Sequence, residues 1–579
     1  MAGAEAHTGP STPGLHVRRE PFEFGLLPLS SLYHKFADGV PAFLKLRARL
    51  QEKAGTSARV DASAIAETLS ISHTHAHLLL DTLACVLPED GPDADPLATA
   101  AVGEVDAVGA DVDVLILFLF VQLYRRLPFR PHRDPASVAD VWPQPSPFDN
   151  LASSPSSPLQ NKAGLRHKSS WGGAEEEQHQ LQFVQKHLPG MLETLAVDSE
   201  EGKAIGPSQF DKLGLLLRSA DLSAAPLCHS TPFFANSDPA MPAAPVPASK
   251  VLQYLKESIH TASHKEEAAG TNGPQGGDVG MTDAPSSPSS SSGSSSFSNG
   301  GLWPRDWQPQ GVTSVDGVTK MSVLKGESNI ENGVIRVSHC HDAVVYVLAP
   351  LRYASIFGCT DCIVVLGATG KAVKVEHCER VQLLAPCARI RIANCRECVF
   401  YLGTNQNPLV LGDNHKIQVA PYNTFYPRLD AHLAEVGVDP SVNMWNVPIT
   451  LGKTDPHDPN LPTAGAADGE SETAALLPPE RFVPFVVPFR TPATPSSPTE
   501  QQQQATRANP FVLPKAYLQA LQQKTKTVET LRQTLKTAVL EENKKKELTN
   551  VIQAHFKEWL LASGNIRQVY DLARLDRDP

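Results

Sequence analysis

The side chains with the clearest chemical potential in this 579-residue sequence are cysteines that recur at regular intervals. Seven of the nine cysteines fall between residues 302 and 438, where Cys359–Cys362 and Cys395–Cys398 have Cys-x-x-Cys spacing. Pairs of this kind supply thiolates to tetrahedral zinc sites. A zinc centre is therefore one chemistry that the sequence could support.

The same cysteines also fit a second interpretation, in which they stack inside a repeat. Cys340, Cys359, Cys378 and Cys395 each end the pattern apolar-x-apolar-x-x-Cys, and Asn414 replaces Cys in a fifth copy. Cys340 and Cys378 lack a Cys-x-x-Cys partner, whereas a small, readily buried side chain suits all four positions. The sequence therefore favours a structural cysteine ladder over zinc, and it predicts no metal or other cofactor.

The repeat also predicts the architecture that positions these side chains. A second column of Leu or Val followed by Ala or Gly accompanies the cysteine column, and both advance by about 17 to 19 residues. That length holds short strands and tight corners but no helix. Each coil buries its inward face only against its neighbours, so about five coils predict a small right-handed β-helix at residues 304 to 437. Trp303 and Trp307 are expected to cap its open end.

Composition divides the rest of the chain into helical segments and linkers rich in Pro, Ser and Gly. The predicted organisation is a disordered segment 1–20, a helical N-terminal domain 21–142, a linker 143–178, helical segments with a Pro/Ala-rich break 179–262, a disordered Ser/Gly-rich linker 263–301, the β-helix 302–438, a mostly disordered linker 439–510 and a helical tail 511–579.

The tail has apolar residues at a spacing that suits an amphipathic helix pair or a short coiled coil. These positions are Leu518, Leu521, Val528, Leu531 and Leu535, then Leu548, Ile552, Phe556, Trp559 and Leu560. Two interpretations stay open: a helical hairpin packed on its own chain, or helices that bind partners or self-associate.

Bulk properties exclude several classes of function. The formal net charge of −11 argues against a general nucleic-acid binder, which would carry a basic surplus. The longest apolar run, Val114 to Tyr124, is shorter than the roughly 20 residues that a membrane-spanning helix needs. The first residues lack the apolar core of a secretory signal, so reduced thiols and a cytoplasmic location are expected.

The repeat residues resemble the C-CAP/cofactor C-like domain, which tubulin-binding cofactor C, the X-linked retinitis pigmentosa GTPase-activating protein and the cyclase-associated proteins share. Residues 420–427 and a helix expected at Leu429 to Val436 are similar to the capping segment of this family. Segments 24–29 and 138–143 resemble a branch found at centrosomes and basal bodies. The resemblance implies a non-enzymatic cytoskeletal scaffold at the centrosome, spindle pole or basal body, which supports centrosome or basal-body positioning and cilium assembly and binds proteins of those structures.

Enzymatic members of this family use an arginine finger, which stabilises charge on the transferred phosphoryl group. The matching stretch here is Ala388-Arg389-Ile390-Arg391, in which Arg391 falls at the finger position and Ala388 and Arg389 replace two glutamines. The resemblance therefore implies an alternative function: a GTPase-activating protein or tubulin-folding cofactor acting on tubulin or an Arf-like GTPase through Arg391.

Strand alternation directs Arg391 outward, because its two neighbours in the strand are apolar and point inward. Arg336, Ser355 and Lys374 occupy equivalent positions in other coils, and Arg389 lies beside Arg391. These cations predict a partly basic stripe that binds an acidic surface of tubulin or a small GTPase. The alternative is that outward positions are simply solvated.

Overall fold

A computed structural model describes most of the chain in several blocks. They comprise residues 14–29, 32, 35–36, 38–55, 58–88, 109–126, 173–199, 202–220, 226–237, 241–260, 311–451, 474–488, 509–537, 541–563 and 569. The linker predicted at 263–301, most of the linker predicted at 143–178, and Trp303 and Trp307 lie outside these residues.

The N-terminal half is a domain of helices and small sheets. Its helices are α1 Glu20–Phe24, α2 Val40–Ala54, α3 Ala62–Leu69, α4 His73–Val86, α5 Val112–Val121, α6 Gly173–Leu195, α7 Pro207–Asp211 and α8 Ala248–Ser258. Its strands are β1 Leu15–Val17, β2 Arg59–Val60, β3 Ala110–Asp111, β4 Val197–Ser199, β5 Gly202–Ile205, β6 Leu217–Ser219, β7 Val246–Pro247 and β8 Ile259–His260.

Helix α5 is the centre of this domain because all of its residues are buried. The Asp111 carboxylate caps it by accepting hydrogen bonds from the backbone N–H groups of Asp113 and Val114 at 2.9 and 3.0 Å. The apolar run noted in the sequence is thus the core helix of a folded domain. Among the helices that the structure describes, none is long and apolar enough to cross a membrane.

Two predicted boundaries of this domain are wrong. Residues Leu15–Val17, assigned to a disordered segment 1–20, form β1, which pairs antiparallel with β6 and parallel with β8. Helix α6 begins at Gly173, inside the predicted linker 143–178, and its buried residues share one core with α5. Both errors have the same cause. Residues 179–262 belong to the same domain and supply the partners of these segments, and local composition does not reveal such distant partners.

The C-terminal half contains a parallel β-solenoid, as the repeat predicts, with six coils where about five were expected. Odd-numbered strands from β9 form one parallel sheet and even-numbered strands from β10 form another. The strands are β9 Thr313–Asp316, β10 Ser322–Gly326, β11 Val334–Ser338, β12 Val344–Leu348, β13 Leu351–Phe357, β14 Ile363–Leu366, β15 Thr369–Glu376, β16 Gln382–Cys387, β17 Ile390–Ala393, β18 Val399–Thr404, β19 Leu409–Leu411 and β20 Gln418–Pro421.

Each cysteine of the ladder lies at a coil corner, between two residues with left-handed backbone. Around Cys340, φ is 51° at His339 and 48° at Asp342, and the same arrangement recurs in later coils. The four thiols are buried and each donates to the carbonyl oxygen two residues earlier at 3.3 to 3.6 Å; they belong to Cys340, Cys359, Cys378 and Cys395. In the described residues, no group of three or more His, Cys, Asp or Glu side chains is placed to hold a metal ion.

Residues after the last coil cover its end, so the prediction of a mostly disordered linker at 439–510 is wrong for the described parts of it. Strand β21 Ile449–Leu451 pairs with β19, and β22 Ala475–Leu476 pairs with β20. Phe482 and Phe485 are buried against the solenoid. An open end of a solenoid exposes unpaired backbone and apolar side chains, which this segment removes from water.

Three further helices complete the described chain. Helix α9 Leu429–Val436 has the bounds expected from the sequence, and the tail contains α10 Lys515–Thr537 and α11 Glu542–Ser563. The side chain of His432 in α9 is fully buried, with Nε2 2.8 Å from the Glu327 carboxylate and Nδ1 3.0 Å from the Tyr426 hydroxyl. This chain of polar contacts ties α9 to the first coil.

Candidate functional site at the basic face of the solenoid

The sheet that starts with β9 carries the predicted basic stripe on its outer face, and that face lies against the N-terminal helical domain. Ile390 and Ile392 point into the solenoid and are 1% and 0% exposed, which leaves Arg391 on the outside. Lys374, on the neighbouring strand, is nevertheless only 9% exposed. The interpretation that these outward positions are solvated is therefore wrong, because another part of the same chain covers them.

Arg391 contacts the last residue of α1 and the backbone loop that follows it. Its two terminal nitrogens donate to the carbonyl oxygens of Phe24 and Leu26. Gln122, which is 1% exposed, holds this loop in place: its amide oxygen accepts from Leu27 N at 2.8 Å and its amide nitrogen donates to Gly25 O at 2.9 Å. The planar guanidinium suits two parallel hydrogen bonds, a geometry that lysine cannot reproduce.

Arg389 and Tyr353 extend the contact to helix α4. The Arg389 Nε atom lies 2.6 Å from the Asp81 carboxylate, in a pair whose two side chains are both mostly buried. The Tyr353 hydroxyl donates to the Cys85 carbonyl oxygen at 2.5 Å, and its ring lies 4.6 Å from the ring of Phe24. Arg389, which the sequence assigns to an external partner, thus binds an aspartate of its own chain.

A cluster of charged side chains lies at the other side of the contact between the solenoid and the helical domain. Glu376 accepts from both Lys374 and Arg126 at 2.8 Å, and Arg126 also donates to Glu23 O at 2.7 Å. Arg336 lies 3.4 Å from the Glu23 carboxylate. All four cations of the predicted stripe therefore have partners in the same chain.

Burial gives this cluster its electrostatic character. Burial and the nearby Arg126 guanidinium lower the pKa of Lys374 to about 8. Burial alone would raise the pKa of the Glu376 carboxyl, but Lys374 and Arg126 together hold that pKa well below its ordinary value of 4.5. Glu376 is thus ionised at neutral pH and compensates two cations that have lost most of their water.

Apolar packing makes the contact continuous with the core of the helical domain. The solenoid residues that share this core are Tyr353, Ala372, Ala393, Leu409, Leu411 and Leu451. A surface that merges with a domain core in this way resembles a permanent interface more than a transient one. The assignment of the stripe to an acidic external partner stays a prediction, and in this conformation the helical domain occupies that position.

Sequence reasoning missed the residues that complete the site, namely Glu23, Asp81, Gln122, Arg126 and Glu376. The partners lie far apart in the chain; Arg391 and Phe24, for example, are 367 residues apart. The one local signal was the segment 24–29, which the sequence analysis used only as part of a resemblance.

A cavity of about 790 Å³ lies beside the covered face, along one corner of the solenoid. Its walls include Ala84 from α4 and Glu435 from α9, and its floor includes Arg352 and Lys371 from successive coils. The lining mixes both signs of charge, so it has no single electrostatic preference.

Comparisons with known proteins agree with this fold. A family model described as tubulin binding cofactor C matches residues 333–449. A Danio rerio protein named TBCC domain-containing protein 1 is 25% identical over 474 residues, which cover 80% of this chain and 75% of that protein. The Mus musculus protein of the same name is 25% identical over 480 residues, covering 80% and 78%. The Gallus gallus protein is 28% identical over 255 residues, which are 44% of this chain and 42% of that protein.

The arginine contact predicts a stability effect. Arg391→Ala leaves two buried carbonyls without their donors, so we expect it to lower the free energy of unfolding by about 3 kcal/mol. Arg391→Lys should recover little of this, because it lacks the planar fork. Chemical denaturation measures both. The matched control is Arg380→Ala on an exposed corner, where the lost pair with Asp361 should cost under about 1 kcal/mol. Equal effects at both positions would contradict a structural role for Arg391.

The charge cluster predicts a pH dependence. Glu376→Gln leaves two buried cations uncompensated and should lower the free energy of unfolding by about 3 kcal/mol at neutral pH. Because the folded pKa of Glu376 is depressed, its stabilisation is complete above 4.5 and is lost as pH falls below that value. The difference between wild type and variant should therefore shrink in acid. Glu379→Gln, whose side chain is 45% exposed, is the control and should change stability little at any pH.

Proposed function

We propose that this chain, which carries a tubulin binding cofactor C domain and is related to proteins named TBCC domain-containing protein 1, is a non-enzymatic cytoskeletal scaffold. Its place is the cytoplasm, at the centrosome, spindle pole or basal body. There it supports centrosome or basal-body positioning and cilium assembly by binding proteins of those structures. The resemblance described above supports the location, and the geometry of Arg391 supports the absence of catalysis.

The non-enzymatic proposal rests on the contacts that the Arg391 guanidinium makes within its own chain. An arginine finger must reach the phosphates of a nucleotide bound to another protein. The Arg391 guanidinium instead donates to Phe24 O and Leu26 O, under a helical domain whose core continues into the solenoid. Catalysis would require that domain to leave, which would expose the apolar and charged residues of the contact to water.

The exposed corner of the solenoid is a surface that the described residues leave open to partners. Its side chains alternate in charge and include Asp361, Arg380, Glu397 and Lys416. Rigid, regularly spaced charges on a solenoid suit a protein partner with a complementary pattern. Tubulin and centrosomal or basal-body proteins are the partners that this function requires.

The alternative function is activation of GTP hydrolysis, or assistance to tubulin folding, through Arg391. We expect the purified full chain to leave GTP hydrolysis by tubulin and by an Arf-like GTPase at its intrinsic rate. Acceleration that Arg391→Ala abolishes and Arg380→Ala retains would establish the alternative. Acceleration that both variants retain would place catalysis at another residue and also overturn the proposal.

Location in cells tests the scaffold proposal. A fluorescently tagged full chain should concentrate at the centrosome or basal body, and a diffuse cytosolic signal would contradict the proposal. Deleting the solenoid is a poor test, because it opens the shared core. The double variant Arg380→Glu with Lys416→Glu reverses charge on the exposed corner and should weaken the concentration. The control, Lys53→Glu with Lys203→Glu, makes the same charge change on the helical domain and should behave as wild type.

A further inference from the structure

Helices α10 and α11 present an apolar seam that the described parts of the chain leave in water. The seam residues are between 37% and 55% exposed; they are Val528, Leu531, Leu535, Ile552, Phe556 and Trp559. Helices of 23 and 22 residues gain most of their stability from packing an apolar face. An exposed apolar seam on two long helices marks an interaction surface.

The N-terminal part of α10 packs against the end of the solenoid in its own chain. The Tyr517 hydroxyl donates to Leu477 O at 2.6 Å, and the Tyr517 ring lies 5.2 Å from the ring of Phe482. Two turns further on, Lys524 Nζ donates to Phe482 O at 2.9 Å. Beyond Lys524 the helix leaves the solenoid, and Val528 is the first seam residue in solvent.

The seam keeps one heptad register through both helices. Apolar residues occupy its two inward positions in two blocks: Val528, Leu531 and Leu535 in α10, and Ile552, Phe556 and Trp559 in α11. Tyr517 and Leu521 share this register but pack on the solenoid. Between these blocks the same positions within α11 hold the polar residues Glu542, Lys545 and Thr549. Inward positions that repeat every seven residues are the signature of a coiled coil.

We propose that the chain dimerises through these helices, as an in-register parallel coiled coil with a second copy of itself. In that register each apolar block faces its own copy. The polar stretch sets Glu542 and Lys545 opposite their own copies, so the association rests on the two apolar blocks. A slip of one heptad would instead place Leu535 against Glu542 and Phe556 against Thr549. The two-block pattern thus selects self-pairing in one register over other alignments.

The flanking charges fit the same arrangement. In a parallel pair, the residue before the first inward position of a heptad meets the residue after the second inward position, five residues later, in the other copy. Glu541 then faces Lys546, an attractive pair, while Thr527 faces Arg532. The later pairs, Leu548 with Gln553 and His555 with Leu560, bring no like charges together. Two identical chains can therefore associate here without flanking repulsion.

Mass measurement tests the dimer. Light scattering during gel filtration of the full chain should give twice the 62.4 kDa of one chain. Ile552→Asp with Phe556→Asp should give a monomer whose circular dichroism keeps the β-sheet signal of the solenoid. The control, Asn550→Asp with Ala554→Asp, adds the same charge on the solvated face of α11 and should stay dimeric. A monomeric wild type, or identical behaviour of the two double variants, would overturn the proposal.

A charge swap tests the parallel register. Glu541→Lys places lysines opposite each other in both symmetric pairs and should weaken the dimer about tenfold. Adding Lys546→Glu should restore the wild-type dissociation constant in sedimentation equilibrium. An unchanged constant in Glu541→Lys, or no rescue by the second substitution, would contradict the parallel register. These readouts concern mass alone, so they are independent of whether the chain reaches the centrosome.

Discussion

Desolvation of charge at the outer face of the solenoid is the constraint on which the rest of the molecule depends. Stacking coils buries their inward side chains but leaves a row of cations on one outer sheet. Those cations lose their water under the helical domain, and such a loss is tolerated only when partners replace it. Glu376, Asp81 and the carbonyls of residues 24 and 26 are those partners. The loop after α1, Gln122 that holds this loop, and the position of α4 together supply those partners.

The solenoid could be predicted from sequence because its signal is periodic and local. Each coil repeats the same inward residues, so the cysteine column and its spacing indicate both the strands and their stacking. The end of the solenoid was harder: β21 and β22 are short, lie among Pro- and Ala-rich residues, and form only because the last coil offers them an edge. Local composition describes the residues of β21 and β22, but it carries no information about β19 and β20, the strands with which they pair.

The candidate site was predicted in part for the same reason. Strand alternation identified Arg391 and Lys374 as outward, which is a local property of the strand. The residues that lie opposite them are hundreds of positions earlier in the chain. A single sequence does not show which distant segments are in contact. The solenoid therefore has two different outer surfaces. Its covered face joins it to the helical domain, and its exposed corner presents charged side chains to solvent. The tail adds a third surface, which is apolar and of a different chemical kind.

The long separation between Arg391 and its carbonyl partners also bears on how the chain is made. Residue 24 leaves the ribosome 367 residues before its partner does. At about 5 to 20 residues per second, the wait is roughly 20 to 70 s. The helical domain is complete only after residue 260 has been made. From then until the solenoid forms, its apolar residues and the Asp81 carboxylate lie on an open face. Exposed apolar surface of this kind promotes aggregation and is what chaperones bind in incomplete chains.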